Sequence, residues 1–309
     1  MERRTFLAGS AIAGLSMMSS SRCSVAADQS ASGSCMPKLA PPEKPAELHL
    51  CLQYGAIPGG EMKQKLDFLE ANGFDAVETP GGKWLIDNAD ALAKDLQGRK
   101  LSMAAVCAGY AGDFASANPA QRQLAVDSSI PLLEKAGMLK SPGLIVCPAR
   151  SEVGMSFPDL RKDFVEVTGR KLAEVAKANS TSIILEPLQR GETMFLRQVA
   201  DGAAIAKDIG PGCTVMGDFW HMSKEETSFM GAFLSAGKRL SHVHVASLKS
   251  RQVPGTDGDA DNYVDGFKGL KLIGYRGAVS LEGGFPKNAD KTQVLLAMAK
   301  LLREQWAQA

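Results

Sequence analysis

Four side chains that can bind a divalent cation follow one another through the second half of the sequence. They are Glu186, Asp218, His244 and Glu282, separated by 32, 26 and 38 residues. Each interval is about the length of one strand followed by one helix. Three carboxylates and one imidazole form an oxygen-rich ligand set for a divalent metal ion. The pattern predicts four successive strands that bring their ligands to one site, although any single residue could instead cap a helix or form a salt bridge.

The segments that must position these residues alternate between apolar runs and amphipathic stretches. Several apolar runs are continuous, as in strands that are buried on both faces of a parallel sheet. The predicted strands cover residues 47–54, 74–79, 101–108, 143–149, 181–188, 213–220, 240–247 and 278–284. The predicted helices cover residues 61–73, 85–99, 118–137, 159–179, 195–209, 224–237, 262–275 and 288–306.

Eight strand–helix units in about 260 residues match the size of an α/β fold of the (β/α)8 class, the TIM barrel. Functional residues of such a barrel lie where the strands run into their following loops, and each candidate ligand is at that end of its strand. An open, doubly wound sheet is the alternative, but it would place ligands at one switch point. We therefore predict one barrel domain over residues 47–309.

The N-terminal residues are predicted to lie outside the barrel. Residues 1–27 contain the Arg3-Arg4 pair, a short weakly apolar stretch and a Val-Ala-Ala cleavage sequence, and they resemble a twin-arginine signal peptide. Residues 28–46 are rich in Ser, Pro and Ala and are predicted to be a disordered linker. The resemblance implies an exported, periplasmic protein. A disordered tail and a lipoprotein signal at Cys23 are the alternatives.

The composition of the chain limits the kinds of partner that it is expected to bind. The formal net charge is +1, so charge predicts no attraction to nucleic acid or to a membrane surface. No run of about 20 apolar residues occurs, which predicts no stable membrane insertion once the signal is cleaved. The six cysteines follow neither zinc-site nor disulfide spacing, and we expect most of them to be small buried residues. The sequence leaves homo-oligomer formation open.

The sequence around the candidate ligands resembles a known enzyme family. ILEPLQRGETMF (residues 184–195) is similar to the E-P-x-x-R-x-E-T segment of the xylose isomerase-like TIM barrels, above all ketose 3-epimerases and hydroxypyruvate isomerases. GDFWHM (217–222) resembles their D-x-x-H segment, and VSLEGG (279–284) resembles their final strand. HVHVASLKSRQVPG (242–255) resembles their H-x-H segment with its downstream arginine and Pro-Gly. The resemblance covers the predicted barrel and is strongest in its second half.

This resemblance implies four metal ligands, two of which also act as acid and base, and three substrate contacts. The metal is expected to be Mn²⁺, with Mg²⁺ or Co²⁺ as alternatives, because most of the ligands are oxygens. The match departs from the family at the arginine, which follows the histidine by one residue more than usual. The implied ligands are Glu186, Asp218, His244 and Glu282, the acid and base are Glu186 and Glu282, and the substrate contacts are Glu192, His221 and Arg251.

A divalent ion that binds a ketone and an adjacent hydroxyl acidifies the C–H bond between them, because it stabilises the resulting enediolate. One carboxylate can remove the proton, and a second carboxylate can return a proton to the opposite face and so epimerise the carbon. Return to the neighbouring carbon gives aldose–ketose isomerisation instead. The sequence is therefore interpreted as a sugar isomerase or epimerase whose partner is a keto-sugar or a related small carbohydrate.

Three other functions share parts of this site. A lyase that eliminates the aglycone from a 3-keto-glycoside would use the same metal and the same C–H acidity, and an exported location favours glycosides as substrates. An apurinic-site endonuclease shares the barrel, but it would need a trinuclear cluster with more histidines than this sequence offers. A non-catalytic sugar-binding barrel is the third, and retention of all four ligand types argues against it.

Several residues near the predicted site have a structural alternative. Glu192 is placed at the start of the following helix, where its charge would be favourable. His221 is placed in a loop and could be a surface histidine. His242 shares a strand face with His244 and is either a partner of the metal ligands or simply packed below them. Glu78, at the end of the second strand, could line the pocket or form a salt bridge.

Overall fold

A computed structural model describes residues 41–148 and 154–309 of the chain. The predicted signal peptide and residues 28–40 of the predicted linker lie outside the described residues, so both stay predictions. The last residue of the fourth predicted strand also lies outside them. None of the described helices combines the length and the apolar character that crossing a bilayer requires.

The described part of the predicted linker, residues 41–46, forms neither a helix nor a strand. It lies against the barrel, where the Glu43 carboxylate accepts a hydrogen bond from Lys238 Nζ at 2.7 Å. The Pro45 carbonyl accepts a second hydrogen bond from the Arg276 guanidinium at 3.1 Å.

Eight parallel strands form a closed barrel in which each strand pairs with its sequence neighbours and the last pairs with the first. The closure confirms the predicted TIM barrel and excludes the open doubly wound sheet. The strands are β1 (His49–Gln53), β2 (Ala76–Pro80), β3 (Ser102–Cys107), β4 (Leu144–Val146), β5 (Ile183–Leu185), β6 (Cys213–Asp218), β7 (Leu240–Val245) and β8 (Ala278–Leu281).

Helices follow the strands around the outside of the barrel. Amphipathic helices of this kind cover a parallel sheet that would otherwise expose an apolar face. The α-helices are α1 (Met62–Ala71), α2 (Gly82–Leu96), α3 (Pro119–Met138), α4 (Phe157–Asp163), α5 (Gly169–Ala178), α6 (Val199–Ile209), α7 (Phe219–Glu225), α8 (Phe229–Ala236), α9 (Val264–Leu272) and α10 (Lys291–Gln308).

Two apolar layers hold the barrel together. Outward-facing strand residues such as Leu50 and Leu52 belong to one large cluster with helix residues such as Leu66 of α1. Inside the barrel, a smaller layer comes from four neighbouring strands, β3 to β6. It consists of Ala105, Ile145, Ile184 and Met216.

The inner layer shows which side chains point into the mouth of the barrel, the opening at the carboxyl ends of its strands. Residues two positions apart on a strand share a face. Glu186 follows Ile184 by two positions, and Asp218 follows Met216 by two positions. Both carboxylates therefore continue the inward-facing rows beyond the apolar layer.

The region after β6 differs from the prediction. The predicted strand 213–220 is wrong for its last two residues, because Asp218 ends β6 and caps α7. The Asp218 Oδ1 atom accepts hydrogen bonds from the amides of Trp220 at 2.7 Å and His221 at 3.4 Å. The predicted helix 224–237 is two helices, since Ser228 begins α8 by accepting a hydrogen bond from Gly231 N.

Two other helices also differ from the prediction. The predicted helix 159–179 is interrupted by a π-helical turn, Phe164–Thr168, between α4 and α5. Helix α6 begins at Val199, whose amide donates to the Glu226 carboxylate at 2.8 Å, rather than at residue 195. Glu192 therefore lies in a turn and does not open a helix, so the predicted helix-start role is wrong.

Candidate metal centre

The four predicted ligands lie at the carboxyl ends of four neighbouring strands. Asp218 is the last residue of β6 and is paired in register with His244 of β7. Glu186 and Glu282 are the first residues after β5 and β8. Their amides still donate to carbonyls of the preceding strands, at 3.0 and 3.1 Å. The sheet therefore fixes the backbone of all four residues at one rim of the barrel.

One ligand atom from each of these four residues lies within 4.8 Å of the others. The Nδ1 atom of His244 is 3.3 Å from a Glu282 oxygen and 3.8 Å from a Glu186 oxygen. His244 Nδ1 and Asp218 Oδ2 are buried and have no hydrogen-bond partner among the described residues. Such buried, unpaired polar atoms are uncommon and costly. A divalent cation would satisfy both atoms, so the residues present fit a metal ion.

The side of His244 that faces away from these carboxylates contacts Glu78. The two oxygens of Glu78 lie 3.0 and 3.1 Å from His244 Nε2, and one lies 2.9 Å from His242 Nε2. Gln53 Nε2 donates to the same carboxylate at 2.9 Å. None of the three partners Glu78, His242 and His244 is more than 1 % exposed. Glu78 was expected either to line the pocket or to form a salt bridge. Its contacts are those of a buried carboxylate paired with the imidazoles of His242 and His244, so they match the second alternative.

The three carboxyl groups of the site have very different pKa values. Burial, and then the charge of Glu282, raises the pKa of Glu186 to about 8. The same two causes raise the pKa of Asp218 to about 6. Burial also opposes ionisation of Glu282, but the His244 imidazole and the Arg251 guanidinium outweigh it and lower its pKa to about 2. In the absence of a metal, the three carboxylates therefore do not share one charge state at neutral pH.

Arg251 reaches the four residues from the connection between β7 and α9. Its guanidinium donates to Glu282 Oε2 at 2.8 Å and lies 3.5 Å from Asp218 Oδ2. It also lies over the indole ring of Trp220, 4.4 Å from the ring centroid. This stacking on Trp220, which belongs to α7 rather than to a strand end, orients the guanidinium toward the mouth.

The extra residue before Arg251 is accommodated by a tight turn. Arg251 has a φ of +54°, in the left-handed region that non-glycine residues rarely adopt. Its amide donates to the Ser247 carbonyl, and the Ser247 amide donates to the Gln252 carbonyl. The Asp257 carboxylate accepts hydrogen bonds from the two amides that precede Arg251. The departure from the family pattern therefore leaves Arg251 beside the predicted ligands.

His221 and Glu192, the other predicted substrate contacts, also lie beside Arg251. His221 is in α7 and is 1 % exposed, so the alternative of a surface histidine is wrong. Its Nδ1 accepts from the Gln189 amide at 3.0 Å, and its Nε2 is 3.3 Å from the Arg251 guanidinium. Burial and then the charge of Arg251 lower the pKa of His221 to about 3, so it is neutral at physiological pH. Glu192 Oε1 lies 3.7 Å from Arg251.

Two residues at the site were not predicted. Cys147 was expected to be a buried apolar residue, but its Sγ donates to Glu186 Oε2 at 3.1 Å. Gln53 donates to Glu282 Oε1 at 3.3 Å as well as to Glu78. A signal for both was present in the alternation of side chains, because each lies at the end of its strand and on the inward-facing row.

The family of the chain follows from a comparison with known proteins. The xylose isomerase-like TIM barrel family matches residues 66–305. This span is most of the described barrel and includes all seven predicted site residues.

The chain belongs to the xylose isomerase-like TIM barrel family.

Characterised relatives of the chain are sugar epimerases. The 3-dehydro-D-guloside 4-epimerase of Escherichia coli is 26% identical over 71% of this chain and 86% of the relative. The D-psicose 3-epimerase of Agrobacterium fabrum is 37% identical over 36% of this chain. That second alignment spans only 38% of the relative's own length.

Solved structures agree with the family. The 3-keto-D-glucoside 4-epimerase from E. coli superposes with a TM-score of 0.75 at 25% identity, over 84% of this chain and all of that one. A D-psicose 3-epimerase from Clostridium cellulolyticum, solved with D-tagatose, shares the fold with a TM-score of 0.73 at 21% identity. It covers 84% of this chain and 99% of its own. The family is an enzyme family, and its named relatives here are isomerase-class enzymes.

Proposed function

We propose that the protein is a divalent-metal-dependent epimerase of a keto-sugar or keto-glycoside. The observation that supports this most is that ligand atoms of Glu186, Asp218, His244 and Glu282 lie within 4.8 Å of one another. Two members of the group are glutamates from strands that are not adjacent in the barrel, β5 and β8. This separation lets them approach one substrate carbon from different sides.

The four residues would hold the metal, with Mn²⁺ proposed because three of the four donors are carboxylates. A bound divalent cation would polarise the substrate ketone and so acidify the neighbouring C–H bond. One glutamate removes that proton, and the other delivers a proton to the opposite face. The carbon is then inverted with no net change in charge. Each such acid or base group typically contributes a factor of about 10²–10⁴ in rate.

Three residues beside the ligand group are proposed to bind the substrate. Arg251 offers guanidinium donors, Glu192 offers carboxylate acceptors, and neutral His221 offers an imidazole between them. Because sugar hydroxyls both donate and accept, a mixed set of this kind suits a polyhydroxylated ligand. Stacking on the Trp220 ring favours the observed orientation of the Arg251 guanidinium, and a preordered side chain loses less entropy on binding.

The E. coli relative named for a dehydro-guloside favours keto-glycosides as one substrate class. That class also supports a second candidate activity, a lyase. Removal of the proton next to the ketone would then be followed by cleavage of the bond to the aglycone oxygen. The aglycone leaves with a proton, and the sugar is left as an enone. Both activities begin with the same proton abstraction, so their products distinguish them.

The test is incubation of the Mn²⁺-loaded protein with a ketohexose and with a 3-keto-glucoside in D₂O. We expect deuterium at one carbon next to the ketone together with an epimeric product, followed by NMR. Free aglycone would indicate the lyase instead. No exchange into any keto-sugar by a protein that binds Mn²⁺ would reject the proposal.

The proton-transfer roles are tested by Glu282→Gln and Glu186→Gln. Each variant keeps the shape of the side chain but cannot accept a proton, so we expect exchange to fall by at least about 100-fold. Glu226→Gln is the control, because Glu226 is half-buried, as Glu282 is, but lies outside the ligand group and caps α6 through one amide. Exchange retained by Glu282→Gln at the wild-type rate would remove Glu282 from the acid–base role.

We further propose that residues 1–27 are a twin-arginine export signal, that residues 28–46 are a linker, and that the mature protein is periplasmic. The adjacent arginines near the N-terminus support this proposal. The double variant Arg3→Lys, Arg4→Lys keeps the positive charge of the leader, so a charge effect alone would leave export unchanged. We expect it to retain the protein in the cytoplasmic fraction of expressing cells. Equal periplasmic recovery of the variant and the wild type would contradict a twin-arginine route.

A further inference from the structure

Glu78 has an unusual environment for a carboxylate inside a barrel. It is fully buried, and its close polar neighbours are Gln53 Nε2, His242 Nε2 and His244 Nε2, all within 3.1 Å. A buried carboxylate that is surrounded by donors is stabilised as the charged acceptor. Glu78 belongs to β2, on the opposite side of the barrel from β6. It contacts the predicted ligand His244 directly, and it is linked to Glu282 through Gln53, which donates to both carboxylates.

The position of the protons follows from the chemistry of these groups. An ionised carboxylate can only accept hydrogen bonds, so the nitrogens that contact it must carry protons. A neutral imidazole carries one N–H and one lone pair. When His244 is neutral, its proton is therefore on Nε2, and the lone pair is on Nδ1. That atom is the buried one without a hydrogen-bond partner, 3.3 Å from Glu282 and 3.8 Å from Glu186.

We propose that Glu78 is a positioning residue of the metal centre: it holds the Nε2 proton of His244 and so presents Nδ1 as the metal ligand. The inference rests on the metal site proposed above. A carboxylate behind a ligating histidine fixes the orientation of the ring and increases its basicity, and its loss typically weakens metal binding about 10–100-fold.

The cluster of Glu78, His242 and His244 is a hydrogen-bonded network, in which the Nε2 protons of both histidines point at the carboxylate, and it is not a second cation site. Its ligand atoms are also mutually close. However, both Nε2 atoms already face Glu78 at hydrogen-bond distances of 2.9 to 3.1 Å. His242 is paired in register with Met216, one inward-facing row deeper than the pair of Asp218 and His244. We therefore expect one bound ion per chain.

The test compares two substitutions in the same network, one that removes the charge of Glu78 and one that replaces its other histidine partner. Glu78→Gln removes the charged acceptor behind His244, and we expect Mn²⁺ affinity measured by calorimetry to fall about 10–100-fold. His242→Gln is the comparison variant within the same network. Its amide can still donate to Glu78, and position 242 is outside the group of four predicted ligands, although the His242 ring packs on that of His244 with centroids 4.9 Å apart. We expect its Mn²⁺ affinity to change by no more than about threefold. Equal losses in the two variants would mean that the network only holds β2 and β7 together, and would overturn the proposal.

A second measurement uses the wild-type protein and so does not depend on whether Glu78→Gln folds. The chain has four histidines, so the ring nitrogens can be resolved by ¹⁵N NMR after loading with Zn²⁺, a diamagnetic probe. We expect one ring with a protonated Nε2 and a Zn²⁺-shifted Nδ1, and its signals should remain in the spectrum of His242→Gln. Zn²⁺ on Nε2, or two Mn²⁺ ions per chain, would overturn the proposal. A wild-type protein that binds no Mn²⁺ would instead reject the proposed function.

Discussion

At the scale of single residues, the site is marked by two buried polar atoms of predicted ligands that make no hydrogen bond to residues 41–148 or 154–309. Asp218 uses one oxygen to cap α7 and leaves the other buried without a hydrogen bond. The Nε2 atom of His244 is within hydrogen-bond distance of Glu78, and its Nδ1 atom is buried without a hydrogen bond to the described residues. A buried polar atom without a hydrogen bond costs about 1–3 kcal/mol. Because both of these atoms belong to residues of the four-member ligand group, they are a local sign of a ligand at this site.

Asp218→Asn separates the capping role of this residue from its proposed role as a ligand. The asparagine oxygen can still accept from the α7 amides, so we expect α7 and the thermal stability of the metal-free protein to change little. Loss of the charged ligand should weaken Mn²⁺ binding by at least about 100-fold, more than loss of a group behind a ligand. Calorimetric titration with Mn²⁺ measures the effect.

Asp290→Asn is the control for that variant. Asp290 also caps a helix, α10, by accepting from the Gln293 amide, and it lies outside the ligand group. We expect its Mn²⁺ affinity to equal that of the wild type. An Asp218→Asn protein with unchanged Mn²⁺ affinity would show that Asp218 is only a helix cap.

At the scale of elements, the connections at the carboxyl ends of the strands determine the shape of the mouth. The connections after β2 and β3 touch through their backbones, at Gly81 and Gly109. A Cβ atom on Gly109 would lie 2.2 Å from Gly82 N, and Gly109 has a φ of +91°. The contact therefore requires glycine for two reasons, a left-handed backbone and a close approach of two chains.

Gly109→Ala is expected to lower the free energy of unfolding by more than Gly98→Ala does. Gly98 also has a positive φ, +77°, but no atom of the described residues lies within 4 Å of the Cβ position. The control should cost only the backbone strain, about 1–2 kcal/mol. The clash at Gly109 should add about 1–3 kcal/mol, as overpacking does in protein interiors. Urea denaturation measures both, and equal losses would contradict the close contact.

At the scale of the whole molecule, closure of the barrel brings three carboxylates to one place at its rim. Burial and the neighbouring charge of Glu282 raise the pKa of Glu186 to about 8, from an ordinary value near 4.5. The folded protein therefore binds this proton more tightly than the unfolded chain does. Between those two pH values, Glu186 is ionised in the unfolded chain but still protonated in the folded protein. The free energy of unfolding of the metal-free protein therefore falls progressively as the pH rises.

Glu186→Gln isolates this contribution, because glutamine resembles the protonated acid at every pH. We expect the metal-free variant to gain stability relative to the metal-free wild type as the pH rises from about 5 to about 8. Thermal unfolding in the presence of a chelator measures the difference. A difference that is constant over this range would mean that Glu186 does not titrate there. With Mn²⁺ bound, the ion neutralises the carboxylate, and the order of stability should reverse.

Much of the fold could be predicted from the sequence, because strand and helix patterns are local. The apolar runs identified all eight strands, and the intervals between Glu186, Asp218, His244 and Glu282 matched one strand–helix unit each. Element ends were less accurate. The start of α7 at Phe219 depends on the Asp218 cap, and the start of α6 depends on Glu226, which is distant in sequence.

The sequence by itself determined that the chain alternates strands with helices and carries, at the end of each of four strands, one side chain of a type that can ligate a metal. Only the tertiary structure decided that these side chains meet within 4.8 Å, and that Glu78 and Gln53 from the first two strands stand behind them. The physical reason is closure of the barrel. Pairing of β8 with β1 brings residues that are more than 200 positions apart into contact, such as Gln53 and Glu282, and no local pattern records which inward-facing side chains will then be neighbours.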